Sequence, residues 1–474
     1  MSTKKRTATL IFGPVLMVLC ILFLPRAIFP GFQSRAAIGT VAFMAFWWVT
    51  GPVDYAITGF LPIVLNALLQ ITDMSKVIAN YADETIMLLL GASILTVSWE
   101  LTGLDRRIAA ALLSLIGDNL RHQIIFWYLF AAAMSSVLPN AVVVATITPI
   151  AVSMLKYVGE GDIGKSEKGS KLLLTLVYAA GVGGLATPLG GAMNLVTVDY
   201  LQKVSGKEYM YTSWVLHFLP IVAIIIVSNL LFLLWGVGKK DSLGGSREYF
   251  LANYRKMGKM TSEQKWSLAL FLMASGLSFT RQFYKSYLPG LKPAYVFMTC
   301  AVVSFLLRKP DGKRLLTWKT VQTKVIWEMI YIFAGGLAVG TLMNESGAAK
   351  DIGDAISKQG LKGGFLTIFV IVAFTLLLSD VTSNTATAAV SLPIIVSITK
   401  GAGLDPVPYI YIATIGVNLS FMLPTSIRAI PVGYGLSPGY LLRSGWKITI
   451  IMILLMTGVS YLLLNAWPYF RTLG

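Results

Sequence analysis

Charge is scarce in this chain. Of its 474 residues only 13% are Asp, Glu, Lys or Arg, about half of the roughly 25% of an ordinary soluble domain. Hydrophobic residues make up 55% and mean hydropathy is +0.71, so a soluble enzyme is excluded before any motif is read. Acidic residues are the scarcer sign, 22 against 39 Lys and Arg, for a net charge of +17. In a soluble protein that excess points to nucleic acid; in a membrane protein it collects in cytoplasmic loops. Cysteine and histidine are nearly absent: Cys20, Cys300, His122 and His217 are the whole supply. Four such scattered residues build no Cys/His zinc site and no disulfide framework. No serine elbow accompanies either histidine. Ligand binding must therefore rest on hydroxyls, amides, backbone groups and a few buried charges.

A spanning helix needs about 20 apolar residues. Candidates lie at 8–25, 36–51, 53–71, 85–103, 171–201, 213–235, 266–280, 293–307, 325–344, 405–435 and 447–467, about eleven crossings. The first follows Lys4-Lys5-Arg6 but no small-x-small cleavage site comes after it, so it reads as a retained helix. Two further apolar stretches, 123–158 and 363–399, are too long for one crossing. Each is broken midway by polar residues: Ser135, Ser136, Pro139 and Asn140 in the first, Asp380, Thr382, Ser383, Asn384 and Thr385 in the second. Each reads as a re-entrant hairpin, because non-helical backbone at that depth is tolerated only where it is buried or lines a cavity. With the N-terminus cytoplasmic, 25 of the 39 basic residues fall inside and 13 outside. Only Arg428 is left within a predicted membrane segment.

The two halves of the chain repeat. Gly91, Gly103, Ile108, Asn140 and Pro149 match Gly335, Gly347, Ile352, Asn384 and Pro393, each 244 residues on. Five crossings separate the copies, and an odd number inverts the second. Inverted repeats with broken helices belong to secondary transporters, with the site near the midplane between repeats. Each hairpin is followed by a second interruption, Gly183-Gly184-Leu185-Ala186-Thr187-Pro188-Leu189-Gly190-Gly191 and Leu423-Pro424-Thr425-Ser426-Ile427-Arg428-Ala429-Ile430-Pro431. Gly and Pro at that density break a helix, and a broken helix offers an N-terminus to an anion. The expected fold is an all-α polytopic membrane protein of about 11 transmembrane helices plus two hairpins. Its expected units are scaffold helices (1–84), a first repeat (85–235), a linker with scaffold helices (236–324) and a second repeat (325–474).

The run Ser383-Asn384-Thr385-Ala386-Thr387-Ala388-Ala389, followed by Pro393, resembles the hairpin-tip motif of the divalent-anion/sodium symporters, carriers of dicarboxylates, citrate and sulfate. The loops at Thr187-Pro188 and Leu423-Pro424-Thr425 resemble its partner motifs, and the likeness extends over nearly the whole chain. The resemblance implies a scaffold that forms a homodimer and a transport domain that moves as an elevator. It implies substrate contacts from Asn140, Ala141, Thr187, Pro188, Ser383, Asn384, Thr385 and Ser426; Arg428 joins them on its charge alone. If sodium is used, it implies ion contacts from Ser135, Asn140, Ala186, Asn384 and Ser426. Two departures count against sodium: the first tip reads Pro139-Asn140-Ala141, short of two hydroxyls, and the second loop carries Arg428. A sodium site needs several oxygens.

Arg428 in mid-membrane costs roughly 2.5–3.5 kcal/mol on insertion scales and requires compensation. It reads as a fixed cation that replaces sodium and pairs with a substrate carboxylate through its fork. A structural ion pair with Asp380 and snorkelling to the cytoplasmic side are the alternatives. Asp380 is open among ion pair, helix cap and proton site. A permanent unpaired cation makes the empty carrier costly to move, so the expected activity is sodium-independent exchange of C4–C5 dicarboxylates (succinate, malate, 2-oxoglutarate). Sodium-coupled dicarboxylate or citrate symport is the alternative, and an anion channel a further one. No catalytic residue, cofactor or nucleic-acid partner is expected; lipid and small dicarboxylates are the expected partners, in a plasma membrane. The segment of Glu100, Asp105, Arg106 and Arg107 and its counterpart Gly347 to Lys358 read as amphipathic arms, His217 as a satisfied core residue, and the basic stretch 236–265 as a solvated linker.

Overall fold

A computed structural model describes residues 3–309, 311–357 and 363–474. Among these residues all regular structure beyond two isolated bridges is helical. Five helices are long and apolar enough to cross a bilayer: Arg6–Phe23, Met74–Thr102, Asn140–Tyr157, Tyr211–Leu234 and Pro438–Ala466. Three apolar stretches, Tyr55–Leu69, Pro293–Leu306 and Phe365–Val381, are shorter. The crossing expected at 53–71 divides into Tyr55–Thr58 and Leu61–Leu69, where Gly59 and Pro62 interrupt the helix.

The repeat extends from residues to whole elements. Helices Glu84–Thr102 and Trp327–Glu345 lead into the amphipathic segments Leu104–Leu113 and Ala348–Ser357. Lys358, the last residue expected in the second segment, lies outside the described residues. The hairpins follow. The first runs Leu120–Val137 and returns as Asn140–Tyr157; the second runs Phe365–Val381 and returns as Asn384–Gly401. Both returning helices carry a proline nine residues past their Asn, Pro149 and Pro393. Then come the broken helices. One is Glu167–Gly184 with Ala192–Ser205; the other is Pro406–Asn418 with the short Ala429–Gly433.

Packing crosses between the repeats. The first returning helix packs on the Ser426–Arg428 turn of the second broken helix, and the second returning helix packs on Ala192–Ser205 of the first. Buried polar pairs tie the two broken helices together: Asn418 Nδ2 donates to Asn194 Oδ1 at 3.0 Å, and the Thr197 and Thr414 hydroxyls meet at 2.8 Å. The Tyr178 hydroxyl donates to the Phe421 carbonyl at 3.0 Å. His217 is a satisfied core residue. Its ring lies 4.5 Å from both Tyr411 and Tyr469, with its nitrogens on the Ser213 and Tyr469 carbonyls.

The 236–265 segment is not a solvated linker. Its helix Ser246–Lys256 buries Phe250 against Trp127 of the first hairpin, ring centroids 5.9 Å apart. Backbone bonds Leu120 N to Asp241 O and Leu243 N to Asp118 O, both 2.8 Å, lay the segment along the hairpin base. At its far end Arg107 donates to the carbonyls of Met257, Gly258 and Lys259. Composition misled here because the basic side chains hide a backbone that is itself hydrogen-bonded.

Asp118 anchors this strap. Its carboxylate accepts from Arg247 N at 3.1 Å and Ser246 Oγ at 2.9 Å. The Arg247 N–H, with help from Ser246, holds the carboxyl below the usual range. A depressed folded-state pKa gives an anchor fully present above the ordinary value of about 3.9 and lost as pH falls through the lower folded value. Asp118→Ala is expected to raise hydrogen exchange in 236–259 at pH 7 while leaving the hairpin core protected; unchanged exchange there refutes the anchor.

Candidate functional site

The tips and breaks form two repeat-related clusters. In the first, Ser135 Oγ donates to Ala180 O at 2.7 Å and the Thr187 hydroxyl donates to Ser136 O. In the second, Ser379 Oγ donates to Val417 O at 2.7 Å and the Thr425 hydroxyl to Asp380 O at 2.8 Å. Each hairpin is thus sewn to its broken helix by one Ser and one Thr in matching places. Close approach completes the first cluster. A Cβ at Gly183 would fall on the Ala132 backbone, and one at Gly190 on Gly184 O and Ser135 O. Asn194 Nδ2 donates to Gly184 O at 2.6 Å and Thr187 O at 2.8 Å, satisfying carbonyls that the break exposes.

The second cluster carries charge where the first carries none. By the same correspondence Asp380 stands opposite Ser136, and Arg428 opposite Gly190. Arg428 is 1% exposed and Asp380 0%. The guanidinium donates to Leu423 O at 2.6 Å, Thr425 Oγ1 at 2.6 Å, Ser420 O at 3.3 Å, Ser379 O at 3.3 Å and Asp380 O at 3.4 Å, and to the Ser420 hydroxyl. Its Nη2 lies 3.9 Å from Asp380 Oδ1. That same Oδ1 accepts from Phe421 N and Met422 N, both at 2.7 Å. Asp380 therefore takes one of its expected roles, partner of Arg428, and its other bonds go to unwound backbone rather than to a helix it caps.

This differs from the expected use of Arg428. Its fork is not free for a substrate carboxylate, and the side chain does not snorkel. A cation at that depth is held by whatever oxygens are nearest, and here those are carbonyls freed by the break. The uncompensated charge inferred from sequence is likewise replaced by a pair. Ser426 is exposed and has φ +51°, a left-handed backbone unusual for a residue with a side chain. Arg428, two residues on, donates back to Leu423 O and Thr425 Oγ1 and so holds that turn.

The remaining predicted residues divide between the tips. Asn140, 7% exposed, begins the first returning helix and makes no side-chain hydrogen bond among the described residues. Pro188 is buried in the turn after Thr187, and Ala186 beside it is half-buried. Ser383 caps the second returning helix by accepting from Ala386 N at 3.1 Å. Asn384 and Thr385 are 5% and 7% exposed. Asn384 Oδ1 faces Ser379 Oγ at 2.9 Å and Ser420 Oγ at 3.2 Å, while its Nδ2 is buried with no partner among the described residues. Sequence reasoning missed Asn194, Asn418 and Ser420. The signal was available for the first two, since each is an amide in an otherwise apolar half-helix beside a break.

A cavity of about 1040 Å³ adjoins this region. Pro139, Ala141, Leu189 and Gly191 of the first cluster line it, together with Arg106, the strap residues Asn253 and Lys256, and the Lys324–Glu100 pair. Residues 383–385 are not on its wall. Asn140, Thr187, Pro188, Ser426 and Arg428 are not on it either; of the predicted substrate residues Ala141 alone lines the cavity.

An all-helical inverted repeat with two hairpin tips and two broken helices beside a cavity defines a membrane transporter. The chain belongs to the citrate transporter family, CitMHS, whose sequence profile matches residues 45–416. It is 28% identical over 475 residues to the sodium-dependent dicarboxylate transporter SdcS of Staphylococcus saprophyticus, covering 96% of this chain and 90% of that protein. The SdcS of Staphylococcus aureus is 27% identical over 471 residues, covering 95% and 90%. In fold the chain is similar to the Alcanivorax borkumensis YdaH transporter, whose crystal structure has an unusual topology, with a TM-score of 0.52 at 12% identity over 83% of this chain and 88% of that one. The family read from the motifs is thereby established, and the protein is a transporter, not an enzyme.

Removing one partner of a buried ion pair costs about 3–5 kcal/mol. Arg428→Ala is expected to lower the unfolding temperature in detergent more than Asp380→Asn, because Asn still accepts from Phe421 N and Met422 N. Equal and small losses would show that the pair is not needed for the fold.

Proposed function

We propose that this protein carries C4–C5 dicarboxylates across the plasma membrane by sodium-independent exchange. Relatives named for sodium-dependent dicarboxylate transport support the substrate class. The observation that carries the mode is the oxygen cage at the second tip. Carbonyls of Ser379, Asp380, Ser420 and Leu423 with the hydroxyls of Ser420 and Thr425 are the donor type a hard cation takes, and Arg428 fills the cage permanently. An ion that cannot leave cannot couple transport to its own gradient. The empty carrier also keeps Asn384 Nδ2 buried without an acceptor, at a cost of about 1–3 kcal/mol. A bound carboxylate removes that penalty, so loaded passage is favoured over empty return.

The N-terminus and the basic strap are cytoplasmic, the cavity is the inward entrance, and the repeats move as an elevator against scaffold helices that dimerise within lipid. Ala141, on the cavity wall, meets the substrate first, and Asn140, Thr187, Pro188, Ser383, Asn384 and Thr385 complete the site. Sodium symport is the second reading. It is favoured by the sodium dependence for which the relatives are named and by the uncharged first cluster, where Asn140 makes no side-chain hydrogen bond among the described residues.

Proteoliposomes loaded with unlabelled succinate are expected to take up labelled succinate without sodium, saturably and without conductance. Concentrative uptake into empty vesicles under a sodium gradient would overturn exchange in favour of symport. Unsaturable conductance would overturn both in favour of a channel.

A further inference from the structure

Three hydroxyls and one amide at the second tip share too few protons to be arranged freely. A serine hydroxyl has one proton and two lone pairs; an Asn amide has one accepting and one donating end. Ser379 Oγ sits 2.7 Å from Val417 O and 2.9 Å from Asn384 Oδ1, so its single proton serves one acceptor at a time. Bonded to Val417 O, Ser379 presents only lone pairs to Asn384. That favours a flipped amide, with Nδ2 donating to Ser379 and Oδ1 facing the site. Ser420 opposes the flip. Its oxygen accepts from Arg428 Nη1, and its proton has Asn384 Oδ1, at 3.2 Å, as its acceptor. A flipped amide would leave that proton with no acceptor and crowd a second donor onto an oxygen already holding the guanidinium.

We propose that Ser420 is a positioning residue for substrate binding: its hydroxyl, committed by Arg428, donates to Asn384 Oδ1 and so turns Asn384 Nδ2 toward the substrate carboxylate. The orientation decides what the tip recognises. An exposed Nδ2 is a donor, suited to an anion; an exposed Oδ1 is an acceptor, suited to a cation or a hydroxyl. Nδ2 is buried and without a partner, on a residue 5% exposed, as a donor awaiting a ligand would be. Thr425 shows the same logic on the other side of the guanidinium. Its hydroxyl accepts from Arg428 Nη2 at 2.6 Å and donates onward to Asp380 O at 2.8 Å. The first repeat has no such device. Gly190 stands where Arg428 does, and Val182 and Gly183, near the place of Ser420, carry no hydroxyl. Asn140 accordingly makes no side-chain bond that sets its amide.

The inference rests on the dicarboxylate reading for its ligand, so two readouts are paired. In sodium-free succinate counterflow, Ser420→Ala is expected to raise KM about tenfold with kcat within about twofold of the parent, and Ser420→Thr to restore KM. In ligand-free protein labelled with ¹⁵N-asparagine, the Asn384 side-chain amide signal, assigned by its loss in Asn384→Ala, is expected to shift in Ser420→Ala and return in Ser420→Thr. An unmoved KM, an equal loss of kcat in both Ser420 variants, or an unmoved amide signal overturns the proposal. Absence of wild-type counterflow with any dicarboxylate strikes the functional reading instead, and the amide signal still decides whether Ser420 orients Asn384.

Discussion

Backbone groups inside a bilayer have no water to bond, so every helix that stops at membrane depth must find partners within the protein. This chain stops four helices there, at two hairpin tips and two breaks, and much of its polar architecture answers that constraint. Asn194 takes the carbonyls of Gly184 and Thr187; Asp380 takes the N–H groups of Phe421 and Met422; Arg428 takes four carbonyls around the second break. The same interruptions that expose backbone also place amides and hydroxyls where a polar substrate can meet them. Stability and recognition thus draw on one set of side chains, which makes the site expensive to alter.

The two repeats meet the constraint differently. The first closes by contact: Gly183 and Gly190 admit neighbouring backbone so closely that no side chain fits. The second closes by charge, with Arg428 and Asp380 in the places held by Gly190 and Ser136 in the first. Glycine at one position leaves a neutral cluster, free to exchange its contacts with a ligand. Arginine at the other gives a cluster locked by its own cation. A carrier built on a symmetric duplication thereby has one tip open to the cavity and another whose hydrogen bonds are already directed.

Much of the fold was legible because its signals are local. Hydropathy runs mark the helices, polar interruptions mark the tips, and the Asn140/Asn384 and Pro149/Pro393 spacings mark the repeat. Each reports on a few adjacent residues and their immediate solvent. The strap was misread for the same reason. Lys239, Lys240 and Arg247 describe its outer surface, whereas Phe250 on Trp127 and Asp118 on Arg247 N are contacts between segments more than a hundred residues apart. Arg428 was singled out correctly as the exceptional charge, but its direction was not readable. Nothing in the local sequence says that Ser379 O, Ser420 O and Leu423 O converge on it.

The sequence by itself determined that the chain lives in a membrane, that its second half inverts its first, and that Asn140, Asn384 and Arg428 lie at interruptions of its helices. Those follow from solvent preference and periodicity, which act residue by residue. Only the tertiary structure decided that Arg428 is enclosed by carbonyls and Asp380, that Asn384 keeps a free amide nitrogen, and that one tip opens to the cavity while the other does not. A hydrogen bond depends on distance and angle between groups far apart in the chain, and those are set when the two repeats pack together.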